Sequence, residues 1–226
     1  MSEIILAAVL WVGSHLGLSS TPLRGVLVNR IGAQGFLILY SLLAFVTLGY
    51  LIWVYTSVAR LDYLWLPNPD LFWVAKVTMP IAFILLVVGF MVKNPTLVGA
   101  ELEVEGAGEL ATGVTRITRH PFQWAVIIWA AGHMVANGDL VSWVFFSSFA
   151  LISLLGTILM DNKKAAAFGP AWEAYAQTTS NVPFAAILAG RNRLVLKELV
   201  LPVLVGVVVY ALVYYFHDAL TGTVVI

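Results

Sequence analysis

The 226-residue chain contains no cysteine. That absence excludes disulfides, iron–sulfur clusters, thiolate metal ligands and covalent haem attachment through a Cys-x-x-Cys-His run. Charge is scarce as well: Asp, Glu, Lys and Arg make up 11% of the residues and cancel to a formal net charge of zero. No nucleic-acid partner is expected. The chain has no His-Glu-x-x-His zinc motif, no Gly-x-Ser-x-Gly elbow and no phosphate-cradling glycine loop. Carboxylates are nearly missing from its apolar runs, which argues against a proton-driven transporter.

Apolar residues are what it has in abundance. They account for 61% of the chain, and the mean hydropathy is +0.93, far from the profile of a soluble domain. Runs of roughly 17–25 apolar residues read as membrane-spanning helices. About six are expected by that criterion: Glu3–Ser20, Phe36–Val58, Leu71–Val92, a shorter Phe122–Asn137, Leu140–Met160 and Leu194–His217. Asn137-Gly138-Asp139 is read as a tight turn joining the fourth and fifth. The fold class expected is all-α: a polytopic membrane helix bundle forming a single transmembrane domain over residues 1–226. Alternating spans would put ten of the twelve Lys and Arg residues on one side, leaving only Arg60 and Lys76 toward the other. The positive-inside rule makes the first side cytoplasmic and both termini periplasmic. The first run carries Glu3 instead of a basic leader, and its basic residues follow it, so an uncleaved span is expected. Two cytoplasmic loops remain. Asn94–His120 holds Glu101, Glu103, Glu105 and Glu109 and reads as solvated; Asp161–Arg193 holds an amphipathic stretch through Phe168, Trp172 and Tyr175, expected to lie at the membrane interface.

Two histidines lie deep within separate apolar runs, His15 in the first and His133 in the fourth. Neutral imidazole is one of the few versatile ligands that a membrane interior tolerates. Small and aromatic neighbours flank both: Trp11, Gly13 and Gly17 around His15; Trp129, Ala130 and Gly132 around His133. Hydrogen bonding across helices and ligation of a metal or haem are both open on these residues. His120 is thirteen residues before His133, roughly 20 Å along a helix, so those two cannot clasp one ion. With Arg116 and Arg119, His120 is expected to form a cytoplasmic surface group suited to anionic oxygens, including phosphate or haem propionates. His217, beside Asp218, reads as interfacial.

Gly13-Ser14-His15-Leu16-Gly17, the run Arg116 to Trp124, Gly132-His133 to Asp139, and Thr179 to Phe184 together resemble the NnrU family, named from denitrification loci and related to zeta-carotene isomerase. The resemblance covers most of the chain through about Arg193, with one further span at 194–217. It implies a multi-pass protein of the bacterial inner (cytoplasmic) membrane that binds non-covalent haem b, with His15 and His133 as axial ligands. His120 is the reserve, because His15 and His133 differ in depth unless the first helix tilts or kinks near Ser19–Pro22. Arg24, Arg116 and Arg119 are then candidate propionate partners, with Trp11 and Trp129 beside the site. The function implied is a redox-linked isomerisation of a lipophilic polyene, or a haem role connected with nitric oxide; the electron donor is unspecified. Where the isomerase branch has a cysteine three residues before the second histidine, this chain has Ala130, so thiolate exchange is not expected. A second resemblance, to membrane S-adenosylmethionine-dependent methyltransferases, runs through Arg119-His120-Pro121, Asp161 and the stretch Phe168 to Tyr175. A non-catalytic sensor or assembly factor is a third reading.

Overall fold

The computed structural model describes residues 1–92, 94–96 and 111–222. Lys93 and the glutamates at 101, 103, 105 and 109 lie outside them. The chain is 79% helical, and no strand occurs among the described residues. In hydrocarbon a backbone must satisfy its own N–H and C=O groups, which an apolar run does by coiling into a helix. In chain order the helices are α1 (Ser2–Ser20), α2 (Leu23–Ser57), α3 (Pro69–Met91), α4 (Pro121–Ala136), α5 (Leu140–Phe168), α6 (Pro170–Thr178), α7 (Ala185–Leu188), α8 (Val200–Tyr215) and α9 (His217–Thr221). Each expected apolar run has its helix. Of these α1, α2, α3 and α5 are long and apolar enough to cross a membrane, while α8 is apolar but shorter.

Three boundaries differ from the expectation. The second helix starts at Leu23 instead of Phe36 and bends at Gly32, where φ is +75° and the regular hydrogen-bond ladder breaks. The last helix begins at Val200, not Leu194, because Leu196–Glu198 forms a separate 3₁₀ turn. The amphipathic stretch is two pieces: Ala165–Phe168 ends α5, Gly169 turns with φ +51°, and Pro170 opens α6 at a position where its missing N–H costs nothing. At 29 residues α5 is about 43 Å long, against a hydrocarbon core of about 30 Å. Its polar end, Asp161 to Lys164, therefore reaches beyond the apolar layer.

The chain divides into two compact units, Met1–Val74 with Ala130–Gly156, and Ala75–Trp129 with Thr157–Ile226. In the first, α1 packs on α2, and Ser14 Oγ meets Thr47 Oγ1 at 3.2 Å. The segment after α2 is stitched to the Asn137–Asp139 turn. Leu64 N–H donates to Gly138 O (2.7 Å), Leu140 N–H donates to Asp62 O (2.9 Å), and Trp65 Nε1 donates to Val135 O (3.2 Å). Asp139 caps α5 by accepting from Ser142 N–H at 2.8 Å. In the second unit, Leu85, Val88, Val114 and Ala125 form a core flanked by Trp124, Leu199 and Val203. Gly206 lets α8 approach α3 so closely that a Cβ there would stand 2.9 Å from Ile84 Cα.

A Cβ on Gly138 would overlap the Trp65 carbonyl, whereas one on Gly156 meets nothing within 4 Å. Gly138→Ala is expected to destabilise the protein by roughly 1–3 kcal/mol through overpacking. Gly156→Ala is expected to be neutral or to stabilise by up to about 1 kcal/mol through helix propensity. Thermal unfolding of the two variants in detergent, followed by circular dichroism, compares them directly.

Candidate functional site

The first unit brings together four of the residues singled out from sequence: His15, His133, Trp11 and Arg24. His15 follows Trp11 by one helical turn on α1, and their ring centroids are 3.9 Å apart. Tyr40 of α2 presents a ring edge to His15 at 5.6 Å and stacks with Phe36 at 6.0 Å; the exposed Arg24 guanidinium lies 5.4 Å from the Phe36 centroid. On the other side Trp11 meets Phe149 at 5.5 Å, Phe149 meets Phe145 at 5.1 Å, and Phe145 meets Phe146 at 5.1 Å. Phe146 stacks on His133 at 4.7 Å with the planes only 23° apart. An unbroken run of aromatic rings thus joins the two histidines. Composition alone hid this feature, because nothing in the apolar run of α5 sets Phe145, Phe146 and Phe149 apart from its other apolar residues.

Within this lining, His15 Nδ1 and Trp11 Nε1 are buried without a hydrogen-bond partner. Buried polar atoms are nearly always satisfied, so these two nitrogens are exceptions that call for an explanation. His133, whose Phe146 contact is not its only interaction, is half-buried. A flat aromatic macrocycle ligated through imidazole suits such surroundings on the chemistry of its donors and lining. Among the described residues no group of three or more His, Cys, Asp or Glu could hold a bare metal ion.

The second unit holds Arg116, Arg119, His120 and Trp129. The surface group expected for the first three needs correcting. His120 is fully buried and Arg116 is 3% exposed. Each meets a carboxylate, since an unpaired charge out of water is too costly to keep. Arg119 Nε donates to both Asp161 oxygens (2.9 and 3.1 Å), and His120 Nε2 lies 2.7 Å from Asp161 Oδ1. Arg116 forks onto Glu198 at 2.9 and 3.1 Å and donates to Asn192 Oδ1 at 3.1 Å. Glu198 and Asn192 were not anticipated. The single acid in the basic run Arg191 to Glu198 was the available signal for one of them. Trp129 is half-buried on α4.

Two distant sequence motifs prove to be partners. Arg119 N–H donates to Ser180 O (2.9 Å), Phe184 N–H to Ile117 O (2.8 Å), and both Thr118 Oγ1 (2.6 Å) and Trp124 Nε1 (2.8 Å) to Asn181 O. The run Thr179–Phe184 thus clamps the chain entering α4. His120 Nδ1 is buried with no partner. Beneath the clamp Tyr175 is 2% exposed, and burial pushes its phenol well above the usual range, so it stays neutral.

This is a helical membrane protein with an imidazole-bearing aromatic lining in one unit and a buried, paired charge cluster in the other. The chain belongs to the NnrU family, whose model (NnrU protein) matches residues 3–225, taking in α8 and α9. Among curated proteins it is similar to the chloroplastic 15-cis-zeta-carotene isomerase of Zea mays, 39% identical over 85 residues (37% of this chain, 23% of the relative). It is also similar to the enzyme of the same name from Arabidopsis thaliana, 35% identical over 117 residues (49% of this chain, 31% of the relative). The chain thus spans 23% and 31% of the length of these relatives. No solved structure matches it.

The Arg116–Glu198 pair gives a pH dependence of definite sign. The hydrogen bonds from Arg116 hold the Glu198 carboxyl below its usual range. A carboxyl with a depressed folded-state pKa contributes stability that is present above its unfolded value and disappears as pH falls through the folded one. The melting temperature is therefore expected to fall as pH is taken from neutral to below the ordinary glutamate range. Glu198→Gln should start lower at neutral pH and show a shallower acid limb. Melting curves recorded across pH for both proteins check this.

Proposed function

We propose that this protein is a haem b-dependent membrane isomerase acting on a lipophilic polyene. His15 and His133 would hold the haem. The reading is carried by one observation: two intramembrane histidines stand in one compact unit on a continuous aromatic lining, one of them with a buried and unsatisfied Nδ1. The carotene isomerase names of the relatives supply the substrate class. When bound, haem supplies a redox-active iron.

The protein's own residues divide the remaining work. Trp11, Tyr40 and Phe146 orient the two imidazole rings by stacking and edge contacts. The Phe145, Phe146 and Phe149 rings keep water out and offer dispersion contact to a long conjugated hydrocarbon. Arg24 takes the propionate role, because Arg116 and Arg119 are already met by carboxylates. Ala130, fully buried, offers no thiol, so exchange with a cysteine ligand has no counterpart here. A cytoplasmic membrane location with both termini outside fits the distribution of basic residues.

Purified protein, expressed with haem available, is expected to show a Soret band. His15→Ala and His133→Ala should each abolish or shift it, while His120→Ala leaves it in place. A colourless wild-type protein, or a band indifferent to both intramembrane histidines, rejects the proposal.

A second reading, methyl transfer from S-adenosylmethionine, draws on the buried His120–Asp161 pair and its unpartnered Nδ1. Against it, both Arg119 and His120 already engage Asp161. Calorimetric titration with S-adenosylmethionine is expected to show no binding. Binding that is lost in Asp161→Asn would favour the methyltransferase.

A further inference from the structure

The second unit contains a cavity of about 390 Å³ whose lining includes Arg116, Arg191, Arg193, Asn192, Thr178 and Gly190. Among the described residues no carboxylate lines it. Glu198 neutralises Arg116, but no carboxylate stands against Arg191 among the described residues. Arg191 is instead fixed through Nη1 alone, which donates to the carbonyls of Ala176 (3.3 Å), Gln177 (2.7 Å) and Thr179 (3.0 Å) at the C-terminal end of α6. That anchoring points the guanidinium without using its Nε–Nη2 edge, the edge suited to a two-pronged contact with an oxyanion.

The turn bearing these arginines is rigidly held. Gly190 adopts φ +67°, a conformation glycine takes without strain. Arg191 N–H donates to Ala186 O at 2.9 Å. Asn192 is bonded on both ends of its amide, accepting from Arg116 Nη1 and from Arg193 N–H and donating to Thr178 O at 2.8 Å. Such a site does not have to be ordered when an anion arrives. Exposed apolar side chains flank it on either side in sequence: Leu188 before; Leu194, Leu196 and Val200 after. A cationic pocket set between exposed leucines matches a charged headgroup with its acyl chains alongside.

We propose that the Gly190–Arg193 turn binds a phosphate group, presented by an anionic phospholipid headgroup or as a free phosphate, with Arg191 as its cationic contact. The apolar flanks favour the lipid source. The site is independent of the haem reading.

The test uses the purified full-length protein in phosphatidylcholine nanodiscs with and without phosphatidic acid, and separately in neutral detergent titrated with inorganic phosphate against chloride at matched ionic strength. Thermal shift and native mass spectrometry of retained lipid are the readouts. Saturable stabilisation by phosphatidic acid is expected, with the apparent affinity reduced about tenfold in Arg191→Gln. Arg30→Gln, which removes an exposed cation elsewhere, should behave as wild type. Because Arg191 also caps α6, Arg191→Lys is included; it keeps the charge, loses the planar fork and should bind more weakly than wild type. A response to inorganic phosphate alone, sensitive to the same variants, assigns the site to free phosphate. No response to either probe, or an equal loss in Arg30→Gln, overturns the proposal.

Discussion

Asp161 stands near the end of the long apolar helix α5, and one carboxylate there must be matched wherever water is excluded. Arg119 and His120, adjacent in sequence at the entry to α4, both turn onto it. Once they do so, the segment carrying them is positioned against α5, and the backbone of Thr179–Phe184 closes over it. Removing one partner from such a pair typically costs about 3–5 kcal/mol, because the other is left charged and unpaired. The Arg116–Glu198 fork repeats the device a few residues away, tying the 3₁₀ turn at Gly113–Arg116 to the one before α8, with Gly113 N–H completing the contact at 2.6 Å. Much of the second unit outside its apolar core is organised by these two matched charges.

The first unit is organised differently. Its contacts are aromatic, with few ion pairs; Arg60 lies 4.6 Å from the Tyr55 ring centroid and 3.7 Å from Asp139, near the Asn137–Asp139 turn. Aromatic rings supply large buried area and shape with few polar atoms; the indole N–H groups of Trp11 and Trp143 are buried without a partner. An imidazole held only by ring contacts keeps its nitrogens available, which a histidine hydrogen-bonded across helices would not. The two kinds of histidine in this chain differ in that respect. His120 has one nitrogen on a carboxylate and serves the clamp; His15 sits among rings, with the Trp11 backbone beside it. The proposed lipophilic substrate rests on the likeness to carotene isomerases and on the aromatic lining, while the charge clusters account for how loops are held at the ends of the apolar helices.

The helices themselves were legible residue by residue. Apolar runs of sufficient length leave the backbone no alternative to coiling, so the expected Leu71–Val92 run lies within two or three residues of the observed α3, and Leu140 opens α5 in both. Boundaries failed where chemistry outside hydropathy decided them: Gly32 permits α2 to begin early and bend, and Glu198, bonded to Arg116, holds Leu196–Glu198 out of α8. Of the candidate residues, His15, His133 and Trp11 stood out because a titratable or aromatic group inside an apolar run is conspicuous. Their shared lining was not, since Phe145 and Phe149 look like any lipid-facing phenylalanine until a helix brings them beside Trp11.

Sequence by itself determined that this is a helical membrane protein without thiol chemistry, that it carries histidines inside apolar runs, and that its motifs are those of the NnrU family; each follows from composition, run length or residue order. Only the tertiary structure decided which charges are matched. Arg116, Arg119 and His120 look like an open cationic surface in one dimension, because their partners Glu198 and Asp161 stand 82, 42 and 41 residues away. A local pattern carries no record of a contact formed at that separation, and the cost of burying a charge alone is what compels the contact to form.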